Sequence, residues 1–549
     1  MKSNLTTQER FSEIESQSVA RSTFDRSFGH KTTMDAGKLY PLYWDFALPG
    51  DTFKVKPTIF GRFATPLKPI MDNVYVDTHF FSVPYRLVYD NFKKLMGEQK
   101  NPGDSTNFTI PMMTSPAGGY QEMSIYDYLG IPTKVSGVKH MSLLLRAYNL
   151  IYNEWYRDED IQDSIPFNTG DEIDLHTDYD LLWRNKRKDY FTSARPWAQK
   201  SQPVSIPIAQ EAKVFAYQGG ANVFENGLML RKSNLGAQAT WEQGSVDKFT
   251  AGSTAATWTT TGANKTGTLA IPTKSGDNSM GGGGQGGEST LYADLSEATN
   301  ITINAFREAV SLQQFFELDA RGGTRYTETI KAHFNVTSPD ARLQRPEYLG
   351  GSSVPLTINP IAQQSASVSG ETPQGNLAAI GTISSSGNGF VKTFTEHEII
   401  IGLVSIRADL NYQYGLNRLL SHETRFDFYW PSFANLGEQA ILNKELKANG
   451  TASDNEVFGY QERYSEYRYR PSQITGLFRS NATNSLDVWH LAQEYTGVPA
   501  LNDAFLRENP PIDRVIAVPS EPQFIIDAFF DNVAARPMPV RSTPGLTRL

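Results

Sequence analysis

Cysteine is absent from the 549 residues of this sequence. Without it, the chain has no disulfide bonds, no cysteine-ligated metal and no cysteine nucleophile. The absence fits a protein that is made in a reducing cytoplasm, although many secreted bacterial proteins also lack cysteine. The cysteine count alone therefore leaves the compartment open.

Long hydrophobic runs are missing too. The longest apolar run, at residues 399–406, is interrupted by Gly402 and is far shorter than the ~20 residues that span a membrane. The first residues, MKSNLTTQERFSEIESQSVA, contain no apolar core and therefore do not resemble a signal peptide. The sequence predicts a soluble chain without membrane insertion.

The chain also lacks an excess of positive charge, because 51 Lys and Arg residues face 59 Asp and Glu residues, giving a net charge of −8. Domains that bind nucleic acid on their own usually carry a basic footprint, so this balance argues against such a domain. A protein that gathers its basic groups on one face is still compatible with the composition.

Signatures of catalysis are scarce. The 8 histidines form no HExxH pair, and no GxSxG motif occurs. Residues 157–180 are acidic but lack the EF-hand spacing, so we interpret them as a solvated loop rather than a Ca²⁺ site. We predict no enzyme, no metal and no cofactor. Only the carboxylate pair of a glycosidase stays open, because its spacing is a three-dimensional property.

Glycine (43 residues), proline (30), phenylalanine (31) and tyrosine (25) are plentiful, a mixture typical of strands, turns and long ordered loops. Alternating β-branched and aromatic residues predict a well-covered strand at residues 73–84, NVYVDTHFFSVP. Residues 363–389 are interpreted as a polar loop. Apolar spacing predicts helices at residues 141–155 and 301–320, and further strands at residues 398–410, 426–430, 463–469 and 524–530.

A short basic segment lies between aromatic residues and consists of Arg184, Lys186, Arg187 and Lys188. Phosphate contacts combined with stacking on the neighbouring rings would suit single-stranded nucleic acid, so these four residues are candidate nucleic-acid contacts. The alternatives are a solvated turn and a set of partners for acidic groups on neighbouring subunits.

Residues 211–288 differ in composition from both flanks, because Gly, Ser, Thr and Asn dominate there. Such a segment cannot bury enough apolar surface to join a core. Its scattered apolar residues favour some packing of their own, and the ones we single out are Phe224, Leu228, Leu230, Trp241 and Trp258.

This contrast suggests a division of the chain into four parts. Residues 1–23 are an N-terminal arm, residues 24–210 the first part of the main fold, residues 211–288 a surface insertion, and residues 289–549 the remainder, which ends in a C-terminal tail at residues 535–549. We expect the arm and the tail to become ordered against neighbouring subunits, because both are poor in apolar residues of their own.

Several long blocks are specific rather than generic, notably RSFGHKTTMDAGKLYPLYWDFALPGD at residues 26–51 and THFFSVPYRLVYDNFKKLMG at residues 78–97. Further blocks lie at residues 320–351, 459–480 and 535–546. Through these blocks the chain resembles the major capsid proteins of gokushoviruses, which are small tailless single-stranded DNA bacteriophages of the Microviridae.

The resemblance implies an all-β fold, namely an eight-stranded antiparallel jelly roll (the viral capsid β-sandwich) with large loop insertions and a few helices. It implies self-assembly into a T=1 icosahedral shell around a circular single-stranded DNA genome, which a small basic DNA-binding phage protein accompanies. It further implies that the insertion forms a protrusion at each threefold axis and attaches to a receptor on the bacterial host surface. The protein would be assembled in the host cytoplasm and reside in the virion.

The competing interpretation is an extracellular β-rich protein that binds or degrades polysaccharide. Its support is the aromatic content of 12% together with the long loops. The missing signal peptide and the family blocks argue against it.

Overall fold

The computed structural model describes residues 20–201, 213–216, 291–294, 303–323, 325–335, 344–364 and 375–541. Antiparallel strands dominate these residues, and helices are few, which confirms the expected β-rich class. The chain divides into two compact units, one formed by residues 1–200 and 317–549 and the other by residues 201–316.

The strands are β1 (Ser22–Asp25), β2 (Phe28–Met34), β3 (Tyr40–Ala47), β4 (Thr52–Phe63), β5 (Val74–Pro84), β6 (Met112–Thr114), β7 (Lys139–Met141), β8 (Lys213–Ala216), β9 (Leu291–Asp294), β10 (Glu347–Pro355), β11 (Thr357–Ala362), β12 (Leu377–Ser386), β13 (Phe390–Thr393), β14 (Glu398–Ala408), β15 (Glu438–Leu442), β16 (Val457–Glu462) and β17 (Phe524–Arg536). The α-helices are α1 (Tyr85–Val88), α2 (Phe92–Leu95), α3 (Ile125–Tyr128), α4 (Leu143–Ile151), α5 (Ile303–Gly322), α6 (Tyr326–Phe334), α7 (Asn443–Leu446) and α8 (Asp503–Leu506).

Two antiparallel sheets form the centre of the first unit. In the larger sheet, β17 lies between β4 on one side and β1 and β2 on the other, while β12 and β13 pair with the far side of β4 and β11 forms the edge. The smaller sheet has the order β10-β5-β14-β3. Short pairs, β6 with β7 and β15 with β16, lie outside these two sheets.

The larger sheet has one buried face and one exposed face. Along β4 and β17, buried and exposed residues alternate, as they must when successive side chains point to opposite faces. The buried set includes Phe53, Val55, Ile526 and Phe530, which belong to one hydrophobic core together with residues of the smaller sheet. This shared core joins the two sheets.

The two central strands of the smaller sheet, β5 and β14, are almost entirely buried on both faces. Every residue of β14 is buried, which explains why its sequence, EIIIGLVSIRA, is nearly continuous in apolar residues rather than alternating. Ile400 and Val404 belong to the core shared with the larger sheet, whereas Ile399 and Ile401 contribute to a second core on the opposite side. The buried residues of α4 belong to that second core.

Helix α4 is anchored to the sheet side by hydrogen bonds as well as by packing. The hydroxyl of Tyr148 donates to the carbonyl of Leu39 at 2.8 Å. Arg146 is fully buried, and its guanidinium donates to Asp174 at 2.8 Å and to the carbonyl of Gly170 at 2.9 Å. The buried charge of Arg146 must be paired, so part of the acidic stretch at residues 157–180 serves as its structural partner.

The long strands and helices agree with the sequence predictions, whereas the short strands predicted from aromatic residues do not. The strands expected at residues 73–84, 398–410 and 524–530 correspond to β5, β14 and β17, and the expected helices correspond to α4 and α5. The polar loop expected at residues 363–389 is wrong in part, because it contains all of β12. The predicted strands at residues 426–430 and 463–469 are also wrong, since the first segment forms a turn and the second a turn with a short 3-10 helix.

The expected boundaries of the arm and the tail also shift. Ser22 pairs with Arg536 and Thr23 with Ala535, so the last residues of the predicted arm and the first of the predicted tail are strands of the larger sheet. Residues 1–19 and 542–549 lie outside the described residues. The ordering of arm and tail against neighbouring subunits stays a prediction for those residues.

Because His79 of β5 is largely buried, we expect the stability of the fold to decrease in acid. Burial, and secondarily the Arg184 charge, lowers its pKa from 6.5 to about 4, while Asp77 partly opposes and Arg407 adds to this shift. Between pH 6.5 and 4, His79 is therefore protonated in the unfolded chain but stays mostly neutral in the folded chain. We expect the unfolding free energy to fall by about 3 kcal/mol as the pH drops from 6.5 to 4.

Urea unfolding at several pH values in this window measures the effect. In His79→Gln, the part of the pH slope that this residue contributes should disappear, whereas the exposed His176 gives a matched control as His176→Gln. Equal slopes for the two variants would contradict the prediction.

Candidate functional site

A loop at residues 419–436, which we call the aromatic loop, presents an unusual number of large apolar side chains to solvent. Six of them are 47–76% exposed, namely Leu420, Phe426, Phe428, Tyr429, Trp430 and Leu436. Soluble monomers rarely expose such a concentration of apolar groups unless the surface has a partner. The aromatic loop is therefore a candidate contact surface.

Local hydrogen bonds explain why the aromatic loop is not the strand that its composition predicts. One carboxylate oxygen of Asp427 accepts the backbone N–H groups of Glu423 and Thr424, at 3.1 and 2.7 Å. Such side-chain acceptors offer the backbone a turn in place of a strand ladder. Pro431 then opens a short 3-10 helix. The rings are thus held on a built loop rather than in a sheet.

The base of the aromatic loop is tied to the first unit through a buried carboxylate. Glu445 accepts from the guanidinium of Arg418 at 2.8 Å and from the hydroxyl of Tyr190 at 2.9 Å. Burial raises the pKa of Glu445 above its ordinary value, while the Arg418 charge opposes that shift. The segment that enters the loop is therefore fixed to the body of the unit although the loop itself is exposed.

The four basic residues predicted to contact nucleic acid have different environments. Arg184 donates to the buried Asp77, and Lys188 forms an ion pair with Asp158. Lys186 is 6% exposed. Arg187 is exposed, and its side chain has no polar partner within the part of the chain that the structure describes.

Lys186 is an internal cation of the fold. Its ammonium donates to Gln493 at 2.7 Å and to the carbonyl of Phe505 at 2.6 Å, and it lies 4.6 Å from the centre of the Phe505 ring. Burial lowers its pKa to about 8, and the charge of the buried Glu508 works against that shift. No local sequence signal marks this role, because Glu508 is more than three hundred residues away.

A close approach of three chain segments holds this basic stretch in place. The backbone N–H of Arg184 donates to the carbonyl of Gly37 at 2.7 Å, and that of Glu508 donates to the carbonyl of Arg184 at 2.8 Å. Gly37 has a φ of +86°, and a Cβ there would lie 1.8 Å from the carbonyl oxygen of Glu508. Only glycine fits this junction.

Of the insertion at residues 211–288, the structure describes only β8 at its start, and the description resumes with β9 just after its end. β8 pairs antiparallel with β9, from Lys213 opposite Asp294 to Ala216 opposite Leu291, so the two ends meet as a stem. The predicted protrusion residues Phe224, Leu228, Leu230, Trp241 and Trp258 lie outside the described residues. Their role as an attachment surface stays a prediction.

Among the described residues, no group of three His, Asp or Glu side chains is placed to hold a metal ion. Within the same ranges, no helix has both the length and the apolar character needed to cross a membrane.

Comparison with known proteins identifies the family. A family model described as capsid protein (F protein) matches residues 12–546. The chain belongs to this capsid protein family. The capsid protein VP1 of Bdellovibrio phage phiMH2K is 46% identical over 549 aligned residues, which cover 98% of each chain.

Two further relatives carry the same description. The capsid protein VP1 of Chlamydia phage 1 is 43% identical, with 98% of each chain covered. The capsid protein VP1 of Spiroplasma virus 4 is 36% identical, and the alignment covers 95% of this chain and 94% of the relative. The chain is thus a major phage capsid protein with a structural, non-enzymatic role in the virion, and the polysaccharide interpretation has no support.

Neighbouring cations of this capsid protein should differ in what they do for stability. We expect Lys186→Gln to lower the unfolding free energy by about 2 kcal/mol, because it leaves the carbonyl of Phe505 without its donor and removes one of the three cations whose charges act on the buried Glu508. The matched variant Arg187→Gln should stay within about 0.5 kcal/mol of the wild type, since its side chain is exposed. Urea unfolding of soluble subunits measures both, and equal stabilities would show that Lys186 is not an internal cation.

Proposed function

We propose that this capsid protein folds as a jelly roll and self-assembles into a T=1 icosahedral shell around a circular single-stranded DNA genome. The observation that carries the capsid role is the family match over nearly the whole chain, residues 12–546. The finer parts of the proposal rest on strand order, exposed surfaces and charge.

The strand order supports the jelly roll. When β1 and β2 count as one interrupted strand, and β12 and β13 as another, eight strands form two four-stranded sheets with β11 as an additional edge. Along the chain these eight strands cross to the other sheet at every step except between β5 and β10, which are neighbours. Paired sheets with long crossing connections are the arrangement of viral jelly rolls.

Self-assembly requires surfaces that bind copies of the same chain, and the aromatic loop suits this role. Its exposed rings and leucines resemble the buried centres of subunit interfaces, which are rich in aromatic residues and poor in charge. The Glu445 anchor keeps its base in one position, so little order has to be gained on contact. We therefore place a neighbouring subunit on the aromatic loop.

Removing apolar groups from the aromatic loop should impair assembly without unfolding the subunit. We expect Leu420→Ser/Phe428→Ser to raise the concentration needed for shell formation about tenfold or more, because these side chains are 76% and 53% exposed in the isolated chain and gain by burial in a contact. Sedimentation of soluble subunits and shells measures the shift.

The control for this test changes equally apolar surface elsewhere. Met71 and Met96 are 67% and 54% exposed, so Met71→Ser/Met96→Ser removes a similar pair of groups. If the control impairs assembly as much as the loop variant, the aromatic loop has no special part in it.

The charge of the chain supports a division of labour in genome binding. A net charge of −8 favours a separate small basic protein as the main neutraliser of phosphate. Direct contacts by this chain are then few and local, and they come from cations that the fold has not already paired. Assembly of such shells in the host cytoplasm completes the proposal.

The insertion is proposed to project outward, associate in threes and attach the virion to a receptor on the host surface. Its support is the contrast in composition at residues 211–288 and the stem formed by β8 and β9, which brings its two ends together. A stem of this kind lets a long segment leave the main fold without disturbing it.

Replacing residues 240–288 with a short Gly/Ser linker tests this role, and it leaves the β8–β9 stem intact. We expect shells to form in normal yield and to bind host cells poorly, as measured by pull-down of purified particles with cells. Unchanged infectivity in this variant would refute the attachment role. Poor shell formation would show instead that the insertion is needed for assembly.

A further inference from the structure

A cavity of about 430 Å³ lies where three distant chain segments meet, at residues 187–190, 407–410 and 469–472. It includes two residues of the basic segment, Arg187 and Lys188, and adds Arg407 and Arg470 from elsewhere in the chain. This volume is in the range of small-molecule sites, which begins near 300 Å³. The fold therefore gathers cations that the sequence keeps apart.

The two carboxylates that line the cavity, Asp189 and Asp409, are held by neutral hydrogen-bond donors and form no ion pair with Arg187 or Arg470 among the described residues. Asp189 already accepts from the hydroxyl of Tyr412 at 2.5 Å and from the backbone N–H of Thr192 at 2.8 Å. Asp409 accepts from the side chain of Asn73 at 2.9 Å. In the described part of the chain, neither Arg187 nor Arg470 has an ion-pair or hydrogen-bond partner for its side chain, and both are exposed.

Arg407 supplies the buried wall of the cavity. It is 8% exposed, its Nε donates to Asp77 at 2.9 Å, and its guanidinium lies 4.4 Å from the centre of the Tyr75 ring. Its Nη1 is buried and has no hydrogen-bond partner among the described residues. Because the charge of Arg407 is already paired with Asp77, this residue shapes the wall of the cavity, and the exposed Arg187 and Arg470 are the cations that a ligand can reach.

Tyr469 adds an aromatic surface to the same wall. It is 57% exposed and lines the cavity beside Pro471 and Leu410. A ring that is both exposed and adjacent to unpaired guanidinium groups suits a nucleobase, because a base stacks on an aromatic face while its phosphate binds arginine.

We propose that this cavity binds one nucleotide of single-stranded DNA, with its phosphate on Arg187 and Arg470 and its base against Tyr469. The proposal rests on the proposed function, because the encapsidated genome is the strand that would occupy the site. It differs from the basic segment predicted from sequence, since Arg184 and Lys186 are excluded and Tyr469 and Arg470 are added.

Fluorescence anisotropy of a labelled oligo-dT with purified subunits tests the site. Two phosphate contacts are lost in Arg187→Gln/Arg470→Gln, so the slope of log affinity against log salt should decrease by about 1.4, at about 0.7 for each contact. Tyr469→Ala should weaken binding about tenfold with little change in that slope, because it removes stacking and no charge. Arg407 is left unchanged, since it is an internal ion-pair partner.

The matched control removes two exposed cations that lie outside the cavity, as Lys93→Gln/Lys100→Gln. An equal loss in this control would mean a general charge effect and would overturn the site. A free nucleotide offers the same phosphate and base as a strand, and competition with dTMP distinguishes the two ligands. If the cavity holds a strand, oligo-dT must bind more tightly than dTMP. The reverse order would overturn the assignment to a strand.

Shell formation by the same preparations is measured in parallel by sedimentation. Cavity variants that form shells and bind oligo-dT as well as the wild type would overturn the site while leaving the capsid role intact. A wild-type protein that forms no shells would contradict the proposed function whatever its affinity for DNA.

Discussion

The burial of β5 and β14, the two central strands of the smaller sheet, on both faces is the constraint on which the rest of the structure depends. β5 and β14 cannot be stable unless one side is covered by the larger sheet and the other by α4 and the segments around it. Apolar burial of this extent supplies most of the favourable free energy of a fold, so both coverings must form together. Loops of great length can then be attached at the ends of the sheets, because they take no part in this core.

The same burial dictates how charges are arranged inside the first unit. Asp77 of β5 is 3% exposed, and it is acceptable there only because Arg184 and Arg407 both donate to it. Burial opposes ionisation of Asp77, yet these two cations bring its pKa below the ordinary value. One ion triad thus links β5, β14 and the basic segment, which are far apart in sequence, and it brings Arg407 to the wall of the cavity.

The sequence was a good guide wherever one local pattern decides the outcome. The β-branched and aromatic residues of β5 and the apolar run of β14 both reflect burial on two faces, and both strands were predicted close to their observed bounds. The segment at residues 426–430 misled because aromatic residues favour strands only on a half-buried pleated surface, whereas here Asp427 satisfies the backbone in a turn. The roles of Lys186 and Arg407 depend on partners hundreds of residues away, and no local pattern reports such partners.

The contrast between Lys186 and Arg187 shows why charge clusters are weak predictors of a binding surface. The two residues are adjacent, yet one is enclosed by Gln493 and Phe505 while the other faces solvent. A cation that the fold has paired has already lost its hydration and gained its partner, so it offers little to a passing phosphate. A cation left exposed keeps its counterions and can release them on binding. In an acidic capsid protein, the capacity to hold DNA therefore depends on the few arginines that the fold leaves unpaired, and not on the number of basic residues in a segment.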